Sequence, residues 1–278
     1  MVSNQHTIEG GRGLALHVRE WGNLEAPPIL FIHGWSQSHL CWAKQYESWL
    51  ADEFRLVALD IRGHGMSDKP LDNDNYSDAQ LWADDIAAVI RELRLDRPVI
   101  VGWSYGAFII CDYVRAYGQE DISGINFVEG TVSLGQAAFG TLIGPGFLDV
   151  FEAATADDLQ TNIQAMRDFL RGCTVEPLPQ EEFEVALGYN TIVPSQVRAH
   201  LATREIDSDD VLSTLGVPVL VTQGRKDIVV LPTMAEHILS TCPTAKPSWY
   251  EEAGHAPFLE APERFNRELA EFRRSTQG

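Results

Sequence analysis

Short, strongly apolar runs alternate with helical segments along most of this 278-residue chain. The runs in its first half cover residues 28–33, 54–60, 98–103 and 122–128. Segments with helical spacing begin near Ser77 and at Tyr105. Parallel strands need a long crossover connection, and strands covered on both faces are apolar throughout. The alternation therefore predicts an α/β fold with a mostly parallel central sheet and helices on both faces.

The alternation stops after residue 129 and resumes near residue 217. Between these points we find no strand pattern. Apolar residues instead follow one helical face at Leu159, Ile163, Met166 and Leu170, with Thr155 as the expected N-cap. We predict that residues 131–205 form a helical insertion in a core made of residues 1–130 and 206–278.

The charge of the chain excludes several classes of partner. Asp and Glu number 40 against 21 Lys and Arg, a formal net charge of −19 at pH 7. Affinity for nucleic acid and for anionic lipid depends on cations, and no run of Lys or Arg offers a local basic patch. We expect a small-molecule substrate and no nucleic-acid or membrane partner, and we leave the oligomeric state open.

The four cysteines are far apart, at positions 41, 111, 173 and 242. None of them has the Cys or His spacing of a zinc site, so we expect reduced thiols, no metal and no cofactor. The first residues lack the pattern of a signal peptide, and no apolar run approaches the roughly 20 residues that span a bilayer. We therefore expect a cytoplasmic protein.

A candidate nucleophile lies where a buried strand is followed by a helix. The segment Gly102-Trp103-Ser104-Tyr105-Gly106 has small residues on both sides of a serine. A sharp strand-to-helix turn strains its central residue, and flanking glycines avoid a backbone clash. This turn would expose Ser104 at the edge of the sheet, at the positive end of a helix.

A serine hydroxyl needs a general base, and the base needs a partner that fixes its tautomer. Two later loops supply candidates, each after a predicted strand: Asp227 and His255. The chain order of Ser104, Asp227 and His255 agrees with nucleophile, acid and base. Glu129, at the end of the strand over 122–128, is an alternative acid or a pocket residue.

A tetrahedral intermediate needs two backbone N–H donors for its oxyanion. One comes from the residue after the nucleophile and the other from an early strand-to-helix loop. The segment His33-Gly34-Trp35 follows the first long apolar run. We therefore expect the N–H groups of Trp35 and Tyr105 to form the oxyanion hole.

Together these motifs make the chain similar to the α/β-hydrolase fold family. The similarity extends from about residue 10 to the C-terminus. Its motifs, in the family's order, are His33-Gly34-Trp35, Asp60-Ile61-Arg62-Gly63-His64-Gly65-Met66-Ser67, Gly102-Trp103-Ser104-Tyr105-Gly106, Gly224-Arg225-Lys226-Asp227 and Gly254-His255-Ala256-Pro257-Phe258. The resemblance implies that residues 131–205 are the family's variable cap. It also implies the branch that holds small esterases, lactonases, carbon–carbon-bond hydrolases and cofactor-free haloperoxidases.

Several aromatic residues are candidates for the binding pocket, although large aromatic side chains often form core instead. Besides Trp35 and Tyr105, they are Trp103, Phe139, Phe147 and Phe151. His33 is a further pocket candidate, with bracing of the oxyanion loop as the alternative. Acidic residues outnumber basic ones in the insertion, which disfavours a strongly anionic substrate.

These features favour a serine hydrolase that cleaves a small, largely apolar carboxylic ester or lactone through an acyl-enzyme. Two alternatives use the same site: perhydrolase or haloperoxidase chemistry without a cofactor, and oxygen-dependent cleavage of a heteroaromatic ring. A third alternative is a non-enzymatic ligand receptor that keeps the pocket.

Overall fold

An eight-stranded sheet forms the centre of the protein in a computed structural model that describes residues 3–276. Its strand order is β1-β2-β4-β3-β5-β6-β9-β10. Strands β1 and β2 pair antiparallel, as do β2 and β4, whereas the remaining pairs are parallel. The strands are β1 Ser3–Glu9, β2 Ala15–Trp21, β3 Pro28–Ile32, β4 Arg55–Leu59, β5 Val99–Trp103, β6 Gly124–Val128, β7 Ser133–Leu134, β8 Ile206–Asp207, β9 Val219–Gly224 and β10 Ala245–Tyr250.

Helices fill the connections between the strands. They are α1 Ala43–Tyr46, α2 Leu50–Glu53, α3 Ala79–Glu92, α4 Gly106–Tyr117, α5 Pro145–Ala154, α6 Leu159–Gly172, α7 Gln180–Thr191, α8 Ser195–Leu201, α9 Asp209–Leu212, α10 Pro232–Thr241, α11 Pro257–Glu260 and α12 Pro262–Ser275. No helix within residues 3–276 combines the length and the apolarity needed to cross a membrane.

Successive residues of the central strands contribute to two different hydrophobic cores. In β3, Leu30 and Ile32 face the core built with α3 and α4, whereas Ile29 and Phe31 face the core built with α1, α11 and α12. Side chains alternate between the two faces of a strand, so a strand that is covered on both faces must be apolar at every position. This confirms the predicted α/β fold with a mostly parallel sheet.

Four helices, α5 to α8, lie in the segment for which the sequence predicted a helical insertion. The prediction that this segment lacks strands was wrong at its first residues, because Ser133 and Leu134 of β7 pair antiparallel with Asp207 and Ile206 of β8. A two-residue ladder is too short to produce a periodic sequence pattern. The pairing of β7 with β8 brings the two ends of the segment together. Residues 131–205 are called the cap below.

The N-cap residue predicted for helix α6 was also wrong. Asp158, not Thr155, precedes the helix, and its carboxylate accepts a hydrogen bond from the backbone N–H of Thr161 at 2.8 Å. Thr155 instead follows the last residue of α5, and its hydroxyl donates to the carbonyl of Phe151. Asp and Thr both satisfy free N–H groups at a helix start, so the sequence alone did not distinguish them.

A buried ion pair fixes the loop after β4. The guanidinium of Arg62 is fully buried and donates from Nε and Nη2 to the two carboxylate oxygens of Asp85, each at 2.7 Å. It also donates to the backbone carbonyls of Gly11, Asn75 and Leu81. The pair therefore joins the β1–β2 turn, helix α3 and the loop that follows β4.

Replacing Arg62 with Met should destabilise the protein by about 3–5 kcal/mol, because Asp85 would remain buried without its partner. A double variant with Arg62→Met and Asp85→Leu should lose less, since no unpaired charge is left. Urea denaturation of the wild type, both single variants and the double variant measures the difference. Equal losses in Arg62→Met and in the double variant would contradict the interpretation.

Candidate active site

Four polar residues follow the carboxyl ends of neighbouring strands. Ser104 follows β5, Glu129 follows β6, Asp227 lies in the loop after β9, and His255 lies in the loop after β10. These strands are adjacent in the order β5-β6-β9-β10 and run parallel. Carboxyl ends of parallel strands meet at one edge of the sheet, which is where α/β folds commonly bind ligands.

Ser104 occupies a strained turn between β5 and α4. Its φ is +52°, a left-handed conformation that is uncommon for residues other than glycine. A Cβ at Gly106 would lie 2.5 Å from the carbonyl oxygen of Ile32 in β3, so only glycine lets the helix start so close to the sheet. The backbone N–H of Ser104 donates to Val128 at 2.9 Å, which ties the turn to β6.

His255 and Asp227 form a buried hydrogen-bonded pair. Nδ1 of His255 lies 2.7 Å from Oδ2 of Asp227, and both side chains are almost completely buried. The other oxygen of Asp227 accepts the backbone N–H groups of Val229 and Val230 at 2.7 and 3.1 Å. With Nδ1 donating to the carboxylate, Nε2 of the imidazole is the free basic nitrogen.

Ser104 is half-buried and does not hydrogen-bond to this pair. Within residues 3–276, no hydrogen bond joins its hydroxyl to the imidazole of His255. Such contacts are often long without substrate and shorten in the reacting complex. The structure thus joins two of the three residues of the predicted triad by a hydrogen bond and places the third after β5, at the same edge of the sheet.

Glu129 is the fourth member of this edge, and it is buried like Asp227 but has fewer hydrogen-bond donors around it. Its Oε1 accepts the backbone N–H of Gly224 at 2.5 Å, whereas Oε2 is buried without a hydrogen-bond partner. Complete burial, followed by the negative charge of Asp227, raises the pKa of Glu129 well above its ordinary value. Two adjacent carboxyl groups do not both ionise readily, so these surroundings favour the protonated form of Glu129.

Two backbone N–H groups near Ser104 are free to bind an anion. Within residues 3–276, neither Trp35 nor Tyr105 donates its backbone N–H to another part of the chain. Tyr105 directly follows Ser104 in the sequence. Gly34, which precedes Trp35, lies so close to Ser104 that a Cβ at position 34 would be 3.0 Å from the Cβ of Ser104. These are the two donors that the sequence predicted for an oxyanion hole.

His33 and His64 brace the loop that carries Trp35. Nε2 of His33 accepts the N–H of Ile61 at 3.2 Å, and its Nδ1 donates to the carbonyl of Gly34 at 2.9 Å. Complete burial lowers the pKa of His33 to about 4, so the ring is neutral. His33 is therefore a support under the loop and not a pocket residue, which corrects one of the two sequence interpretations.

An apolar cavity adjoins Ser104. Both Trp35 and Tyr105 line it with their side chains, and cap and core residues complete the wall. The remaining lining residues are Phe108, Thr131, Leu134, Ile143, Phe147, Phe169, Leu201, Ala202, Val229 and Val230. The sequence identified Phe147, but missed Phe169 and the valines at 229 and 230, whose only signal was their nearness to a predicted helix face or to Asp227.

Three other pocket candidates lie outside the cavity wall. Trp103 is buried in the core opposite α4, where its indole N–H donates to the carbonyl of His255 at 2.7 Å, so it holds the histidine loop. Phe139 is 41% exposed. Phe151 packs behind the wall, with its ring 6.4 Å from that of Trp35. Successive residues of a strand face opposite sides, which explains why Trp103 does not share the surroundings of Ser104.

Two groups of residues have the composition of metal ligands. One is Glu129, Asp227 and His255; the other is His17, His39 and Asp60. In the second group, the oxygens of Asp60 already accept hydrogen bonds from the backbone and ring of His39 and from the N–H of Met66. In the first, Asp227 is occupied by His255 and two backbone donors. Hydrogen bonds within the protein therefore already occupy both carboxylate oxygens of Asp60 in one group and of Asp227 in the other.

Comparison with known proteins gives a consistent family. A family model described as alpha/beta hydrolase fold matches residues 27–262. A putative aryl esterase from Burkholderia cenocepacia is 35% identical, with 98% of this chain and 99% of that one covered and a TM-score of 0.93. Esterase RhEst1 from Rhodococcus sp. ECU1013 is 32% identical, again with 98% of this chain and 99% of that one covered and a TM-score of 0.93.

A non-heme chloroperoxidase from Streptomyces lividans is 27% identical over 97% of this chain and 99% of its own length. The family match covers most of the chain and both esterase structures superimpose along nearly all of it. The resemblance seen in the sequence motifs is thereby confirmed, and the chain belongs to the α/β hydrolase fold family.

Proposed function

We propose that this protein hydrolyses small, largely apolar carboxylic esters or lactones, with Ser104 as nucleophile, His255 as base and Asp227 as acid. The chain is an ester-cleaving hydrolase, since relatives above 30% identity along nearly its whole length are esterases. The observation that carries the assignment is the 2.7 Å hydrogen bond between His255 and Asp227, next to the strained Ser104 turn.

The proposed reaction begins with a proton transfer. Nε2 of His255 takes the hydroxyl proton of Ser104 as Oγ attacks the ester carbonyl, and Asp227 stabilises the imidazolium that forms. The imidazolium then gives this proton to the leaving alcohol, and an acyl-enzyme remains. A water molecule, deprotonated by His255, releases the acid and restores Ser104. The backbone N–H groups of Trp35 and Tyr105 hold the oxyanion in both halves of the reaction.

The cavity supports a small, apolar acyl or aryl group in the substrate. Its wall is almost entirely aliphatic and aromatic, with the hydroxyl of Thr131 as one of its few polar groups apart from Ser104. Because the wall offers no Lys or Arg side chain, an anionic acyl group would lose its hydration without gaining an ion pair.

Asp227 is preferred over Glu129 as the acid of the triad. Asp227 is hydrogen-bonded to the imidazole and held by two backbone N–H groups, which suits a charged carboxylate. Glu129 accepts one backbone N–H, and burial raises its pKa, which favours a neutral carboxyl. We assign to Glu129 the support of the loop after β9 through Gly224.

Perhydrolysis is the second candidate, because of the similarity to a non-heme chloroperoxidase. In this reaction hydrogen peroxide replaces water as the group that opens the acyl-enzyme, and a peroxyacid leaves. The same nucleophile, base and oxyanion donors suffice, so no further residue is needed. Product analysis with and without peroxide distinguishes the two activities.

Ser104→Ala should reduce hydrolysis of short p-nitrophenyl esters by at least about 10³-fold, because no acyl-enzyme can form. The same variant should no longer be labelled by a fluorophosphonate. Unchanged hydrolysis would exclude the serine mechanism, and oxygen consumption by the variant with a heteroaromatic substrate would favour ring cleavage. Tight ligand binding by a wild type that turns over no ester or lactone would favour the receptor alternative.

Asp227→Asn should lower kcat/KM by about 10³–10⁴-fold, since an amide no longer selects the tautomer of His255. Glu129→Gln should stay within a few-fold of the wild type, because an amide of the same shape resembles the protonated carboxyl that burial favours and its oxygen still accepts the N–H of Gly224. Steady-state kinetics on one ester compares the two variants. A larger loss in Glu129→Gln than in Asp227→Asn would move the role of acid to Glu129.

The stability of Glu129→Gln relative to the wild type should depend on pH. The folded protein holds the Glu129 proton more tightly than the unfolded chain, because burial raises the pKa above the ordinary 4.5. Wild-type stability should therefore fall, relative to the variant, as the pH rises above 4.5 towards the raised pKa, by up to about 1.4 kcal/mol per pH unit. Urea denaturation between pH 5 and 8 measures this difference, and parallel curves would contradict it.

A further inference from the structure

Arg198 is a fully buried cation in helix α8 of the cap. Within residues 3–276, no carboxylate lies within salt-bridge distance of its guanidinium, unlike the buried Arg62 and Arg204, which pair with Asp85 and Asp112. Burial lowers the pKa of Arg198 to about 10, so it stays charged at neutral pH. A buried charge without an opposite charge is costly, so its position calls for a physical explanation.

Hydrogen bonds to the cap hold the guanidinium in one orientation. Nη1 donates to the carbonyl of Ala154 at 2.9 Å and to Oδ1 of Asn162 at 2.7 Å, and Nη2 donates to the carbonyl of Asn190 at 2.7 Å. Ala154 ends α5 and Asn190 lies in the last turn of α7. The carbonyls at a helix C-terminus carry partial negative charge, which compensates part of the charge of Arg198.

The remaining donor leaves the cap and contacts the core. Nε of Arg198 donates to the hydroxyl of Ser36 at 2.9 Å, and the indole N–H of Trp35 donates back to the carbonyl of Arg198 at 3.1 Å. Ser36 has a φ of +62°, and its backbone N–H donates to Nε2 of His64 at 3.0 Å. The dipeptide Trp35-Ser36 is thus held from below by the core and from above by the cap.

This dipeptide carries one of the two proposed oxyanion donors. A small rotation of the peptide before Trp35 would turn its N–H away from the carbonyl of the substrate. We propose that Arg198 is a positioning residue: its hydrogen bond to the hydroxyl of Ser36 keeps the N–H of Trp35 directed towards the oxyanion. The geometry of the oxyanion hole therefore depends on the packing of the cap against the core. The proposal rests on the proposed function, because it concerns the same hydrolysis.

A purely structural Arg198 would hold the cap together without affecting the transition state in particular. Ser36→Ala separates the two roles, since it removes the acceptor in the core and leaves the three cap contacts of Arg198 in place. Asn162→Ala is the matched control, because it removes a buried hydrogen bond of the same guanidinium on the cap side. Ser36→Ala also removes the bond from the Ser36 hydroxyl to the carbonyl of Asn190, and Asn162→Ala also removes the bonds from its amide to the carbonyls of Ala154 and Ala156. The thermal stability of both variants should therefore fall.

We expect Ser36→Ala to lower kcat by about 10–100-fold with KM changed less than 3-fold, because an oxyanion donor contributes mainly in the transition state. The affinity for a boronic acid that forms a tetrahedral adduct with Ser104 should fall by a similar factor. Asn162→Ala should keep kcat within about 3-fold. Arg198→Lys should resemble Ser36→Ala, because an ammonium does not reach all four acceptors in the same geometry.

If the wild type hydrolyses esters and Ser104→Ala does not, the proposed function stands. In that case, equal kcat values in Ser36→Ala and Asn162→Ala, or a change in KM alone, would overturn the positioning role of Arg198. A wild type that hydrolyses no ester would overturn both proposals. Should Ser36→Ala not fold, Ser36→Gly removes the same hydroxyl and relieves the left-handed backbone, and the same outcomes apply to it.

Discussion

The parallel pairing of β3, β5, β6, β9 and β10 is the constraint on which the site depends. It aligns the carboxyl ends of five strands at one edge, so loops far apart in the sequence meet there. Ser104 and His255 are separated by a long stretch of chain that includes the cap, yet they follow strands of one sheet. The strain at Ser104 is tolerated because the turn is tied to β6 and packed under a helix that starts at a glycine.

Glu129 and Arg198 are buried near this edge, and within residues 3–276 neither forms a salt bridge. Their surroundings act on the two charges in different ways. Burial and the charge of Asp227 raise the pKa of Glu129, which favours its uncharged form. Arg198 keeps its charge, because even a lowered pKa stays far above neutral, and carbonyl dipoles compensate it. Arg198 therefore lies as a cation between the cap and the loop that carries Trp35 and Ser36.

The cavity shows how the cap and the core share one binding surface. Trp35 stands between them: its ring packs edge-on against Phe147 of α5 and Phe169 of α6, and its indole reaches Arg198 of α8. The residue that supplies a proposed oxyanion donor is therefore also in contact with three helices of the cap. Substrate size and oxyanion geometry depend on the same packing.

The alternation of apolar runs, the serine between two glycines and the order of the three site residues determined the fold and the candidates for catalysis from the sequence alone. They did so because each is a local rule: a period, a turn that needs glycine, or a loop after a strand. Only the tertiary structure decided that Trp103 and His33 support the site from outside the cavity, that burial raises the pKa of Glu129, and that Arg198 contacts the loop with Trp35 and Ser36. Those properties arise from which face a side chain takes, how deeply it is buried and which distant segments pack against it, and no short stretch of sequence contains that information.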